Sequence, residues 1–248
     1  VGAALEGLGL PQGRPVMAHV RLKPLHEATG LGYAALAREL LDLLHGVLAP
    51  ATVLVPTFTY SFSKSGVFHR LFSRAETGRF SEEARRLGLA RTPDPMFSVL
   101  DSRGWLAGRP VDHGTAFGPG SLWELLDRED AVVLNLGIEA MVATQVHFVE
   151  ECMRVPYRMD TVMPGVAYLD EGSWAPVNYR FFARDLARNR LLDWPGIEAR
   201  LARYGAWRTD EATGVKLGWT TCRILREALE PAVHENPYVL VSGRTDGR

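Results

Sequence analysis

The feature that most constrains the fold is the alternation, over the first 160 residues, of short valine- and leucine-rich runs with helical patterns. "RPVMAHV" (14–20), "ATVLVPTF" (51–58) and "AVVLNLG" (131–137) are too short for buried helices. They are also too continuously apolar for strands with a wet face, so they are predicted as central strands of a largely buried sheet. Between the first two, Leu36, Leu40, Leu43, Leu44 and Val47 recur at helical spacing and supply one stripe to lay on that sheet. The unit is strand, helix, strand, and the class is α/β.

Further elements follow from local signals. "SLWELL" starts a helix with Ser121 at the cap and Glu124 three residues on, a capping box. Helices are expected at "PGIEARLARYG", closed by Gly205, and at "CRILREALEPAV", with a last strand at "YVLVS" and turns around Gly165 and Gly172. Residues 60–95 interrupt the alternation. They carry Lys64, Arg70, Arg74, Arg79, Arg85, Arg86 and Arg91, and bulky Phe62, Phe68, Phe72 and Phe80 oppose disorder, so the segment is expected to be an ordered lid or rim.

Composition sets bounds on function. A formal net charge of -1 gives no general attraction to nucleic acid or anionic lipid. Cys152 and Cys222 form no CxxC pair, which is the pattern of a reducing cytoplasm, and no metal-ligand spacing such as HExxH and no G-x-S-x-G elbow occurs. No apolar run approaches the length of a membrane span. The expectation is a cytoplasmic protein of 248 residues, monomeric or homodimeric.

The stretch with most chemistry is "VATQVHFVEECMRVPYR", residues 142–158. As a helix it turns Val142, Val146, Val149 and Met153 to the core, with His147 well round from them. Thr144, Glu150 and Glu151 are three or four residues from His147. Either glutamate then suits one imidazole nitrogen and leaves the other free, which is the arrangement of a general base tuned near neutral pH; a solvated helix face has the same spacing. Position favours the base, because the helix leaves the strand "AVVLNLG" at the carboxyl edge, where α/β proteins bind ligands. "HVRLKPL" and "PTFTY" leave their strands in the same way.

Taken in order, "VPTFTYSF", "RTPDPMFSVLDSRG", "HGTAFGPGSLWELL", "LNLGIEAMVATQVHFVEECMRVPYR" and "ENPYVLV" resemble the aminoglycoside 3-N-acetyltransferase family, particularly its surface-polysaccharide and natural-product members, from about Pro15 to Val241. The resemblance implies a single α/β/α three-layer domain with a mixed central sheet, distinct from the GNAT fold. It implies transfer of an acetyl group from acetyl-CoA to an amine of an amino sugar or aminoglycoside-like acceptor by direct attack, without metal. It places the family's base motif on Thr144, His147 and Glu150, with Asp185 as a possible second carboxylate, although a salt bridge with Arg184 or Arg188 also accounts for Asp185. Donor binding falls on Thr57, Phe58, Arg91, Ser98, Phe117, Gly118 and Ser121, and on the turn His19, Val20, Arg21.

Four departures bear on that expectation, one of them the reduction of the relatives' glycine-rich turn to "TGLG". "HVRL" stands where relatives read "HSSL", exchanging a small hydroxyl for Val20 and adding the Arg21 cation, suited to a phosphate or to plugging the channel. Asp94 replaces a histidine and Asp160 a lysine. Two such acids on the acceptor side point to a more cationic substrate or to loss of the usual reaction. The alternatives are an acyl carrier protein as donor, with the 64–91 arginines meeting its acidic helix, or a pocket that only binds a small polar ligand.

Overall fold

The computed structural model describes residues 2–185, 191–211 and 214–242. In chain order it runs α1 (Gly2–Gly7), β1 (Val16–Val20), α2 (Lys23–Thr29), α3 (Tyr33–Val47), β2 (Val53–Pro56), α4 (Phe62–Ser65) and β3 (Val67–His69). There follow α5 (Arg79–Arg86), β4 (Ala90–Arg91), β5 (Val99–Asp101), α6 (Leu122–Arg128), β6 (Val132–Leu136) and α7 (Gln145–Cys152). The remainder is β7 (Arg158–Asp170), β8 (Ser173–Arg184), β9 (Leu191–Leu192), α8 (Trp194–Arg203), β10 (Arg208–Asp210), β11 (Leu217–Thr221), α9 (Cys222–Glu235) and β12 (Val241–Ser242).

Seven strands form a mixed sheet in the order β10-β11-β6-β1-β2-β5-β4. The three central strands β6, β1 and β2 are parallel and are the three apolar runs of the sequence; β11 and β5 flank them antiparallel. Alternation along these strands feeds two cores. Met17, Leu54 and Val133 face one, with Trp123 of α6, Val149 of α7, Leu201 of α8 and Leu225 of α9. Val16, Val53 and Leu134 face the other, with Leu5 of α1, Leu25 of α2, Leu40 of α3 and Phe80 of α5. The result is helix, sheet, helix, as the α/β/α expectation had it.

Segment 60–95 is ordered and built into this frame, and its Tyr60 and Ser63 reach the cavity described below. It folds into α4, β3, α5 and β4 and buries Phe62, Phe68 and Phe80. Its cations are largely engaged: Arg85 pairs with Glu82 at 2.9 Å, Arg70 with Asp170, and Arg91 is buried. The predicted last strand contracts to β12, which pairs with β9, while Leu240 is buried ahead of it.

The largest difference from expectation is the hairpin of β7 and β8, joined at Glu171–Gly172, which forms a second sheet with β3. Gly165 marks no turn; it sits within β7. A Cβ there would run into the carbonyl oxygen of Gly66 and come within 2.7 Å of the Phe62 ring, so the glycine is required by a close approach of β7 to α4.

Candidate active site

Segment 137–144 carries the chain from β6 to α7 at the carboxyl edge of the parallel strands. Asn135 of β6 fixes it with both amide atoms: Nδ2 donates to the Val142 carbonyl at 2.9 Å and Oδ1 accepts from Val142 N–H at 2.7 Å. Glu198 of α8 accepts from Met141 N–H at 2.7 Å and pairs with Lys216 at 2.6 Å. The following helix is shorter than the pattern suggested. Val146 and Val149 enter the core as expected, whereas Val142 precedes the helix and lines a cavity.

That cavity has a volume of about 680 Å³. Thr144, His147 and Glu150 form one wall; Phe58, Met96 and Phe97 come from the segments around β2 and β5. Opposite stand Arg158 and Met163 of β7 and Phe181 and Arg184 of β8, and Leu192 and Trp194 complete the surround. The hairpin is thus what turns an open sheet edge into a pocket.

His147 is one-fifth exposed (22%), and its Nδ1 lies 2.6 Å from Oε2 of the fully buried Glu150. Of the two glutamates in reach, the structure selects Glu150; Glu151 lies 3.8 Å from Arg154. Arg158 Nη2 lies 2.8 Å from both Glu150 Oε2 and His147 Nδ1, and Nη1 donates to the Phe182 carbonyl at 3.1 Å. Burial alone would raise the Glu150 carboxyl, but the His147 hydrogen bond and the charges of His147 and Arg158 outweigh it and hold it below its usual value. An Nδ1–H of His147 would satisfy the ionised Glu150 Oε2 and leave Nε2 with its lone pair, whereas an unprotonated Nδ1 would accept from Arg158 Nη2. Burial and the Arg158 charge lower the His147 pKa despite the glutamate, keeping the ring neutral near pH 7. Phe117 supports the ring, with centroids 5.2 Å apart.

Other expected site residues are placed differently. Thr57, Arg91 and Ser98 form a closed buried network. Arg91 donates to Ser98 Oγ at 3.0 Å, to Thr59 Oγ1 at 2.9 Å and to the Thr57 and Ser73 carbonyls, and Ser98 Oγ donates to the Thr57 carbonyl at 2.9 Å. A guanidinium committed to these acceptors holds the frame rather than a phosphate. Ser121 is buried as the cap of α6, its Oγ accepting from Glu124 N–H at 3.3 Å; the glutamate returns to Gly120 N–H at 2.7 Å, one residue earlier than a capping box requires. Gly118 leaves no room for a Cβ, which would lie 2.9 Å from Thr115 Oγ1. Asp185 follows β8 beside the cavity without lining it, and Arg188 lies outside the described residues.

At the end of β1, His19 is buried with Nε2 unpartnered, and burial takes its pKa down to about 4. Arg21 pairs with Glu139 at 2.7 Å, and neither it, Val20 nor His19 lines the cavity. The acids expected on the acceptor side are absent from the cavity too. Asp94 is buried, accepting from Met96 and Phe97 N–H at 2.9 and 2.6 Å and from Tyr179 Oη at 2.9 Å, and burial raises it to about 7. Asp160 is exposed and pairs with Arg154. The argument for a more cationic substrate therefore fails.

Sequence reasoning missed Arg158, Phe181 and Trp194. All three reach the cavity through tertiary folding, and no local spacing marked them. Among the described residues no cluster of histidine, cysteine and carboxylate side chains is suited to a metal ion, and no helix is long and apolar enough to cross a membrane.

A family model described as aminoglycoside 3-N-acetyltransferase matches residues 17–228. Solved structures share the fold. Aminoglycoside acetyltransferase AAC(3)-Xa has a TM-score of 0.73 at 21% identity, over 94% of this chain and 91% of that one. AAC-IIIb, in a binary structure with CoASH, has 0.73 at 16% identity, over 94% of each chain. YokD protein from Bacillus subtilis has 0.73 at 15% identity, over 95% of this chain and 93% of that one. No curated protein matches the sequence.

Proposed function

The chain belongs to the aminoglycoside 3-N-acetyltransferase family, matched over most of its length, and from that premise we propose that it transfers an acetyl group from acetyl-CoA to an amine by direct attack, with His147 as general base and one domain carrying the whole reaction. The observation that carries the reading is the His147, Glu150 and Arg158 cluster opening on the cavity.

Each residue has a defined task. Glu150 holds the Nδ1–H tautomer and stabilises the imidazolium formed in the reaction; Arg158 keeps the buried carboxylate ionised. As the amine nitrogen bonds to the thioester carbonyl carbon, Nε2 takes the proton that nitrogen must lose. When the carbon–sulfur bond breaks, the imidazolium returns that proton to the departing thiolate, leaving an amide, a free thiol and a neutral His147. General base catalysis of this kind contributes about 10²- to 10⁴-fold.

The donor supplies an activated acyl group, and the cavity residues fit it: Phe58, Phe97 and Val142 give apolar walls for an acetyl group beside His147. A relative solved with CoASH supports CoA as the carrier. A carrier-protein donor is the second reading; in the basic segment Arg85 and Arg91 already have partners, whereas Arg79 and Arg86 are about half exposed. The test is incubation with acetyl-labelled acetyl-CoA and an amine panel. Label on the amine in step with thiol release is expected; label retained on the protein would contradict direct attack, and release of label only as acetate would contradict amine transfer.

A further inference from the structure

The two faces of the β7–β8 hairpin have different surroundings. Inward, Met163 and Phe181 line the cavity and Tyr179 is fully buried. Outward, in register across β3, β7 and β8, stand Val67, Val162, Pro164, Tyr168, Trp174 and Pro176, all exposed. An antiparallel sheet with one face in water normally carries polar side chains there; this one carries valines, prolines and aromatic rings. The patch continues past β3, where the His69 ring stacks on Tyr168 with centroids 5.7 Å apart and Phe72 packs on His69 at 4.4 Å.

Val67, Phe72, Val162, Tyr168 and Trp174 keep between 39% and 67% of their surface accessible. At about 150–250 Å² for a whole aromatic side chain, and with the prolines included, the face exposes roughly 600 Å² of apolar area, the upper end of what a monomer shows. Two copies face to face would cover about 1,200 Å², the lower bound of a stable specific interface. The rim is polar, with Arg70 paired to Asp170 near the hairpin tip and Arg180 to Asp112 at 2.6 Å at the far end. Between them the outward residues from Val162 to Tyr168 and from Trp174 to Asn178 carry no formal charge. An acidic or basic partner would meet no counter-charge there, whereas an identical face brings no repulsion. Strand addition is not the mode, because the outer edge of β8 is taken at Arg180 by Gly114 and Ala116 and is interrupted by Pro176. Bulk is distributed to suit stacking: the cross-strand pair Tyr168 and Trp174 stands at one end, Val162 and Pro164 at the other. A second copy turned end for end lays its aromatic pair on the low end of the first, and symmetry supplies the converse contact.

We infer that the outer face of the β3–β7–β8 sheet is the interface of a homodimer, stacked end for end about a two-fold axis. The assignment is independent of the transferase reading. Its structural consequence is that each copy braces the strands whose inner face closes the other's cavity.

Sedimentation equilibrium of the whole chain tests it across about 1–100 μM, where an interface of this size associates. Twice the 27.5 kDa chain mass is expected. Trp174→Lys and Val162→Glu each place a charge in the contact. Both side chains are exposed in the single chain, so each variant should keep the wild-type far-ultraviolet dichroism, and each is expected to weaken association about ten-fold or more. Mixing the two variants should restore a one-to-one dimer through the new lysine–glutamate pair. A wild type that stays monomeric throughout the range overturns the proposal, as does a dimer that tolerates both substitutions. A mixture that remains monomeric contradicts the end-for-end arrangement.

Discussion

His19 at the end of β1 and His147 on α7 are both withdrawn from water near the carboxyl edge of the same parallel strands, and both have lowered pKa values, yet their surroundings differ. Among the described residues no carboxylate pairs with His19, and burial is the one cause of its lowered pKa. Its Nε2 is orphaned, it does not line the cavity, and burial alone takes it to about 4. His147 has Glu150 on Nδ1, Arg158 behind the carboxylate and a cavity in front. A proton acceptor at this edge therefore needs an orienting partner and access, and neither a strand end nor a perturbed pKa supplies them.

The largest expected blow to this contrast is Glu150→Gln. It keeps one carbonyl acceptor but removes the charge that faces two buried partners and leaves Arg158 uncompensated, so a loss of about 3–5 kcal/mol in denaturant unfolding is expected, with a fall in kcat of about 10²-fold. A fully stable, fully active variant would erase the distinction between the histidines.

Next comes His19→Leu. The unfolded state binds the His19 proton from about pH 6.5 downward, whereas the folded state resists it until about 4, so this group's stability is present above pH 6.5 and lost as pH falls through that window. The shift corresponds to about 3 kcal/mol. Unfolding curves from pH 7 to 4 are expected to flatten by that order in the variant, with acetyl transfer at neutral pH unchanged.

The two sites were not equally legible. His147 and Glu150 lie three residues apart on one helix, so spacing exposed them, and the central strands announced themselves as continuous apolar runs. Arg158 was hidden because its tie to Glu150 depends on β7 folding back past α7. The hairpin itself was hidden because Pro164 and Gly165 look like turn residues, and the reason for the glycine, the Phe62 ring, lies a hundred residues away in sequence. At β1, "HVRL" looked like a ligand turn because of its place; the Arg21–Glu139 pair and the burial of His19 became visible only in three dimensions.

Gly165→Ala sharpens the contrast from the hairpin side. A methyl group there pushes β7 from α4, an overpacking cost of about 1–3 kcal/mol. It is expected to raise KM for the amine, since Met163 and Phe181 move with the hairpin, while leaving the His19 contribution to the pH dependence of stability as it was. The smallest effect belongs to Arg21→Ala. The pair with Glu139 is solvent-exposed, so stability should change by about 1 kcal/mol or less, and KM for acetyl-CoA by less than two-fold. A large rise in that KM would restore the β1 turn as a donor-binding site.

The most direct measurement is kcat/KM for acetyl transfer, expressed per unprotonated amine, across pH 5 to 9 in the wild type and in His147→Ala, with CoA affinity measured in both. The wild type should lose activity only as pH falls below the ordinary histidine value of about 6.5, because burial and Arg158 lower the His147 pKa. The variant should fall by about 10²-fold or more and lose that limb while still binding CoA. Near-normal turnover in the variant, or an acid limb that survives without the imidazole, would contradict His147 as the base.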